Sequence, residues 1–177
     1  MNGDERLRLF CALRLPDDAI VRLVGWQQRE LRGGRLVPPE NLHVTLAFLG
    51  SRPAGELDAI AGVLRATAAE ADGMRLGVTG YRETRSVGML TFDDEGGRAT
   101  ALAGRLQAGL EELGVYRREA RPWLPHVTVL RFRARPRLSP ALPELGEVSP
   151  SDAAVFISRL RPGGAQYEVL EIVALGG

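Results

Sequence analysis

Two short segments of this 177-residue chain repeat one pattern of histidine, apolar residue and threonine, and this repeat constrains the fold more than any other feature. The segments are NLHVTLAFLG, from Asn41 to Gly50, and LPHVTVL, from Leu124 to Leu130. Successive side chains of a strand point to opposite faces of a sheet. If both segments are strands, each histidine therefore shares one face with its threonine, and the apolar residues share the other.

The polar faces of these two strands hold both histidines of the chain. His43 and Thr45 form the first pair, and His126 and Thr128 form the second. The alternation predicts that the core-facing residues are Leu42, Val44, Leu46 and Phe48 in the first strand and Val127 and Val129 in the second. One such pair would most simply be two solvated residues, whereas two matched pairs on amphipathic strands favour a shared polar site.

The rest of the chain alternates predicted strands and helices around these two segments. Strands are predicted at 6–16, 74–83, 85–94, 153–161 and 166–175, helices at 17–31, 54–72 and 96–114, and a Pro- and Arg-rich loop at 133–150. The two halves thus resemble each other in outline. We expect residues 1–177 to form a single α+β domain of two pseudo-symmetric antiparallel-sheet lobes, with helices outside and both polar strand faces lining a central cleft.

The composition is that of a soluble globular protein. Apolar residues make up 45% of the chain and charged residues 25%. No apolar run approaches the roughly 20 residues of a membrane helix, and the opening MNGDERLRLF is unlike a signal peptide. The single cysteine, Cys11, cannot form an internal disulfide and is expected to be a buried core residue. We expect a cytoplasmic monomer without membrane association.

The basic residues are unevenly distributed. The net charge is only +1, which argues against a non-specific nucleic-acid coat but permits a local basic cleft. From Arg117 to Arg137 the chain has seven arginines against one acid, Glu119. Because guanidinium groups bind phosphate in a bidentate manner, this Arg-rich flank of the second histidine predicts contact with phosphate groups.

An imidazole on each side of a cleft supplies an acid and a base, because histidine ordinarily titrates at about pH 6.5. One can take a proton from a nucleophile while the other gives one to the leaving oxygen, which is sufficient to cleave a phosphodiester. A threonine hydroxyl roughly 6.5 Å further along each strand can donate to a nonbridging phosphate oxygen. The sequence has no phosphate-binding loop, no serine hydrolase elbow and no zinc-site spacing, so we expect no metal and no cofactor.

These segments resemble the paired H-x-T-x motifs of the 2H phosphoesterases, and more narrowly of the RNA 2′,3′-cyclic phosphodiesterases, also called 2′-5′ RNA ligases. The likeness extends from RLFCALRLPDD through LVPPENLHVTLAFLG and LPHVTVLRF to ISRLRPGGAQYEVL. The resemblance implies a bilobal fold, no metal requirement, and opening of an RNA 2′,3′-cyclic phosphate end to a 2′-phosphate, with reversible 2′-5′ ligation as a related reaction.

The resemblance also implies roles for individual residues. His43 resembles the family's histidine that donates a proton to the departing 3′-oxygen. His126 resembles the family's histidine that acts as the base and activates water. Thr45 and Thr128 correspond to substrate-binding residues, and Arg131 is the expected phosphate contact. Strict alternation places Arg131 on the face opposite His126, so it reaches the site only if the strand twists or bulges there.

Two other functions remain open from the sequence. The first is a 2H phosphoesterase that acts on another substrate, such as a cyclic nucleotide, a 2′-5′ oligoadenylate or an ADP-ribose cyclic phosphate. The second is a non-catalytic RNA- or nucleotide-binding module. Intact histidine and threonine at both motifs argue against the second, because binding alone needs no paired acid and base.

Overall fold

The computed structural model describes residues 4–176 and has an α+β fold of two four-stranded antiparallel sheets and three helices. The elements are β1 (Arg6–Arg14), α1 (Asp17–Glu30), β2 (Arg35–Leu36), β3 (His43–Pro53), α2 (Leu57–Ala69), β4 (Leu76–Glu83), β5 (Val87–Asp94), α3 (Arg98–Glu112), β6 (His126–Arg131), β7 (Asp152–Arg161) and β8 (Gly164–Ala174). The predicted fold class is confirmed, and the short strand β2 is an addition to the predicted elements.

Each sheet contains one of the two histidine strands. The first sheet has the strand order β3-β1-β7-β8, and the second has the order β2-β6-β5-β4. The first sheet therefore joins the beginning and the end of the chain, while most of the second comes from its middle. The lobes are not the two contiguous halves of the sequence, because pairing between distant strands determines which strands share a sheet.

Two of the three helices, α1 and α3, contact the sheet opposite to the strand that they follow, whereas α2 packs on β7 and β8 of its own sheet. Helix α1 follows a strand of the first sheet, yet its Trp26 packs against Tyr81 of β4, with ring centroids 6.5 Å apart. Helix α3 lies between two strands of the second sheet, yet its Gln107 donates to Leu46 O of β3. Each histidine strand is thus covered by a helix that comes from the opposite part of the chain.

One hydrophobic core extends across both sheets. It includes Leu9 and Leu13 of β1, Leu90 of β5 and Val127 of β6, all fully buried. Cys11 belongs to the same core, as predicted, and burial raises the pKa of its thiol to about 12. The lobes therefore do not have separate interiors, because their apolar faces pack into a single cluster.

Both histidine strands bulge directly after the His-x-Thr segment. Thr45 pairs with Ala12 and Ala47 with Cys11, so Leu46 is an extra residue on β3. On β6 the residue without a partner on β5 is Val129, because Thr128 and Leu130 pair with Met89 and Gly88. The bulge shifts the alternation by one residue. The prediction that Phe48 faces the core is therefore wrong, since Phe48 is 48% exposed and lines the cleft.

The Pro- and Arg-rich segment is a long loop, as predicted, apart from one bridge between Val148 and Leu76 of β4. The carboxylate of Glu83, almost fully buried, accepts hydrogen bonds from Arg135 Nε and from the backbone N–H groups of Arg137 and Leu138. Trp26 Nε1 donates to Ala141 O at 2.6 Å. These contacts hold the loop against the second sheet and α1.

None of the helices within residues 4–176 combines the length and the apolar character that a bilayer-spanning helix requires.

Candidate active site

A cleft with a volume of about 560 Å³ lies between the two sheets. From the first sheet and its hairpin it is lined by Arg8, Phe10, His43, Thr45, Phe48, Ser158, Leu160 and Tyr167, and from the second by Arg35, Leu36, Thr128 and Arg131. Four of the residues that the sequence singles out, His43, Thr45, Thr128 and Arg131, therefore line one cleft although they belong to different sheets, whereas His126 is not among the lining residues.

The imidazole of His43 is held by the backbone just before it. Its Nδ1 lies 2.8 Å from Asn41 O, and because a carbonyl only accepts, Nδ1 carries the proton. Its Nε2 lies 2.9 Å from Thr45 Oγ1, so the neutral ring accepts the threonine proton there. The nitrogen available for proton transfer is therefore Nε2.

His126 repeats this arrangement on the other sheet. Its Nδ1 lies 2.8 Å from Leu124 O, again the carbonyl two residues earlier, which fixes the same tautomer. The charge of His126 also lowers the pKa of His43, so the two imidazoles lie within electrostatic reach of each other. Each sheet thus presents one imidazole whose Nδ1 is held by the backbone, which leaves Nε2 as the other ring nitrogen.

The imidazole of His43 packs against three aromatic rings. Its ring centroid is 4.9 Å from that of Phe10, 5.4 Å from that of Tyr167 and 5.8 Å from that of Phe156. Burial there lowers the pKa of His43 to about 4, assisted by the positive charges of His126 and Arg131 and opposed by the hydrogen bond to Asn41 O. In the unliganded protein His43 is thus neutral at pH 7.

Arg131 lies on the cleft side because of the bulge at Val129. Alternation alone assigns Arg131 to the face opposite His126, and the extra residue reverses that assignment. Its guanidinium lowers the pKa of His43 by charge, and Nη2 lies 3.5 Å from Tyr167 Oη across the cleft. The condition stated for Arg131 from the sequence is therefore met.

Sequence reasoning missed several cleft residues. Arg8 is recoverable from the sequence, since it alternates with Leu7 and Leu9 on β1, and its guanidinium carbon lies 5.0 Å from the ring centroid of Phe48. Arg35 is not recoverable, because it lies on the two-residue strand β2, from which it donates to Gly163 O of the opposite lobe. Phe48 was missed because of the bulge.

The Arg-rich flank is only partly at the cleft. Of its arginines, Arg131 lines the cleft, while Arg118, Arg121 and Arg135 form ion pairs with carboxylates. Arg8 and Arg35, which lie outside the flank, complete the positive charge of the lining. The basic character of the cleft is therefore assembled from three separate segments.

Within residues 4–176, no three or more His, Cys, Asp or Glu side chains come together in a way that could hold a metal ion. The chemistry available from the described side chains is that of imidazole, hydroxyl and guanidinium groups.

Comparisons with known proteins agree on one family. Residues 15–160 match the family model described as the 2′-5′ RNA ligase superfamily. The chain is 39% identical to the RNA 2′,3′-cyclic phosphodiesterase of Thermus thermophilus, over 97% of this chain and 91% of that protein. It is 28% identical to the protein of the same name from Methanothermobacter thermautotrophicus, over 96% and 100%. The crystal structure of E. coli LigT in apo form superposes with a TM-score of 0.84 at 25% identity, over 98% and 100% of the two chains.

Proposed function

This chain belongs to the 2′-5′ RNA ligase superfamily, and from that membership we propose that it hydrolyses RNA 2′,3′-cyclic phosphate ends to 2′-phosphates. The observation that carries the proposal is the pair of imidazoles, each anchored through Nδ1 to a carbonyl two residues earlier, with Nε2 available. Two relatives that match nearly the whole chain are named RNA 2′,3′-cyclic phosphodiesterases, which supports this substrate class.

The proposed step is one displacement at phosphorus. His126 Nε2 takes a proton from water, and the water oxygen forms a bond to phosphorus as the bond to the ribose 3′-oxygen breaks. His43 Nε2 gives its proton to the departing 3′-oxygen, which leaves a 3′-hydroxyl and a 2′-phosphate. If a 5′-hydroxyl takes the place of water, the same step produces a 2′-5′ linkage, and its reversal exchanges the roles of the histidines.

This direction requires a protonated His43, whereas burial keeps the unliganded ring neutral at pH 7. The bound phosphate supplies the missing charge, because an anion in contact with an imidazole favours the protonated form. Thr45, Thr128 and Arg131 are the proposed contacts to the nonbridging oxygens, where negative charge increases during attack. Arg131 can offer two parallel N–H donors to such a pair of oxygens.

The reaction is tested with EDTA-treated protein and a short RNA that ends in a 2′,3′-cyclic phosphate. We expect full activity without added metal and a 2′-phosphate product, identified by phosphorus NMR. Loss of activity that a divalent ion restores would overturn metal independence. Turnover of another cyclic phosphate but not of the RNA would assign a different 2H substrate, and binding without turnover would indicate a non-catalytic module.

The paired mechanism is tested by substitution of the histidines. His43→Ala and His126→Ala should each lower kcat by about 10² to 10⁴, the usual contribution of a general acid or base. The losses should not multiply in the double variant, because both protons move around one displacement. Thr45→Ala and Thr128→Ala should cost less, since each removes one hydrogen bond among several. Near-normal turnover by either folded histidine variant would contradict the mechanism.

A further inference from the structure

Two buried glutamines stand out among the apolar residues that the helices turn toward the core. Gln27 of α1 is 2% exposed and Gln107 of α3 is 6% exposed. A buried amide costs free energy unless its polar atoms are paired, so each needs a specific partner. The partners are not on the same helix in either case.

Each glutamine donates to the backbone of a bulge in a histidine strand. Gln107 Nε2 lies 2.9 Å from Leu46 O, the extra residue of β3. Gln27 Nε2 lies 2.9 Å from Val129 O, the extra residue of β6. Gln27 Nε2 also lies 3.0 Å from Val37 O, and the backbone N–H of Val37 donates to the same Val129 O at 3.1 Å, so the amide reinforces a direct link between β6 and the segment that follows β2.

The two bulges have the same consequence for the cleft. From the histidine onward, β3 and β6 share one burial sequence, in which the fourth and fifth residues are both buried and the sixth is exposed. The sixth residues are Phe48 and Arg131, and both line the cleft. Without the extra residue, regular alternation would turn these two side chains toward the core.

We propose that Gln27 and Gln107 are positioning residues, which hold the two bulges and thereby keep Arg131 and Phe48 in the cleft. A bulge leaves a backbone carbonyl outside the regular ladder, and a buried carbonyl without a donor is costly. The amide of Gln107 supplies that donor to Leu46 O, and the amide of Gln27 supplies a second donor to Val129 O beside the backbone N–H of Val37. Gln27 therefore acts on substrate through Arg131, and Gln107 acts through Phe48.

This inference rests on the proposed function for its activity readout, and a double-mutant cycle separates the two. Gln27→Met removes the donor and keeps a side chain of similar length. The kcat and KM for a 2′,3′-cyclic RNA end are measured for wild type, Gln27→Met, Arg131→Ala and the double variant. A crystal structure of Gln27→Met reports the strand register without any assay. If Gln27→Met does not fold, Gln27→Ala replaces it, because the space left behind can admit a water molecule.

We expect Gln27→Met to raise KM and to have little further effect in the Arg131→Ala background. The loss of kcat/KM in the double variant should be smaller than the product of the two single losses by about 2- to 150-fold, the range for side chains that are in contact or share one network. Gln107→Met should be coupled in the same way to Phe48→Ala and not to Arg131→Ala. The matched controls are Gln28→Met, the same change at the exposed neighbouring position, and Leu23→Ala, which destabilises the same helix face.

The losses of kcat/KM for Leu23→Ala and Arg131→Ala should simply multiply in their double variant. If the losses for Gln27→Met and Arg131→Ala also multiply, Gln27 has a merely structural role and the proposal is overturned. A variant structure that retains the bulge and the Arg131 orientation would do the same. An inactive wild-type protein would instead reject the proposed function, and the strand register in the variant crystal structure would still decide the positioning role.

Discussion

His43 and His126 occupy equivalent positions in matched segments, yet their surroundings differ. His43 lies on the rings of Phe10 and Phe156 in the cleft floor, and burial there lowers its pKa to about 4. If His43 donates a proton at neutral pH, as proposed above, it must therefore acquire that proton when the substrate binds. At the scale of single residues, the proposed mechanism thus requires the charge of the substrate to raise the pKa of His43.

We predict that binding of a tetrahedral dianion is accompanied by proton uptake at His43. Sulfate is the suitable probe, because it does not itself titrate near neutral pH. The anion should raise the pKa of His43 from about 4, so that at a pH of about 6 the bound state holds more protons than the free state. The measurement is titration calorimetry in two buffers with different ionisation enthalpies.

His43→Gln should remove most of this proton uptake, because glutamine keeps the polarity of the side chain and does not titrate. His126→Gln is the matched comparison on the other strand. Uptake that is equal in wild type and His43→Gln would show that His43 is not the group whose protonation follows binding.

At the scale of the strand, the bulge determines which side chains belong to the site. Phe48 is the fifth residue after His43, and its ring lies 6.4 Å from the ring of Phe10 on the cleft face. Because Phe48 is 48% exposed, its contribution to folding is smaller than that of a core phenylalanine.

We predict that Phe48→Ala costs less than half of the about 3–5 kcal/mol typical of a buried phenylalanine. Phe156→Ala, at a position 4% exposed, should cost the full amount and serves as the matched control. Phe48→Ala should raise KM for a cyclic phosphate substrate by about 5-fold or more, since an aromatic face in the cleft can stack on a base. The measurements are urea unfolding and steady-state kinetics. Equal stability losses would show that Phe48 is a core residue after all.

At the scale of the whole molecule, the two lobes share one core. Leu9 of the first sheet and Leu90 of the second are fully buried in the same cluster, and α1 and α3 each contact the sheet opposite to the strand that they follow. Separation of the lobes would expose the apolar face of both sheets. A bilobal shape therefore does not imply two independent folding units.

We predict a single cooperative thermal transition, in which the calorimetric and van't Hoff enthalpies agree. The reason is that neither sheet can unfold without exposing the core of the other. Differential scanning calorimetry is the measurement. Two resolved transitions, or a calorimetric enthalpy well above the van't Hoff value, would identify the lobes as separate units.

The charge of the cleft leads to a second prediction at this scale. Arg8, Arg35 and Arg131 come from three distant segments and line one cleft. A longer RNA that carries the 2′-phosphate product end should bind with a steeper salt dependence than a shorter one. The slope of log K against log salt concentration should steepen by about 0.7 for each further phosphate that the protein neutralises. Arg8→Gln should reduce the slope for an oligonucleotide. Arg65→Gln, which alters an ion pair with Glu171, is the control, and equal slopes for mononucleotide and oligonucleotide would contradict the prediction.

Much of the site could be predicted from local sequence. Alternation along β3 and β6 is a property of neighbouring residues, and it correctly places His43 and Thr45 on one face and His126 and Thr128 on one face. The helices and the long loop follow from the same kind of local pattern. The α+β class and the presence of two sheets were therefore accessible from the sequence by itself.

Only the tertiary structure decided which strands share a sheet, which helix covers each histidine strand and where the alternation changes phase. The carbonyls of Leu46 and Val129 at the bulges accept hydrogen bonds from glutamines that lie 61 and 102 residues away in the chain, and no local pattern records these contacts. The low pKa of His43 likewise depends on rings of β1 and β7 brought beneath it by sheet pairing. The sequence determined which residues can carry the chemistry, and long-range pairing determined their environment and their neighbours.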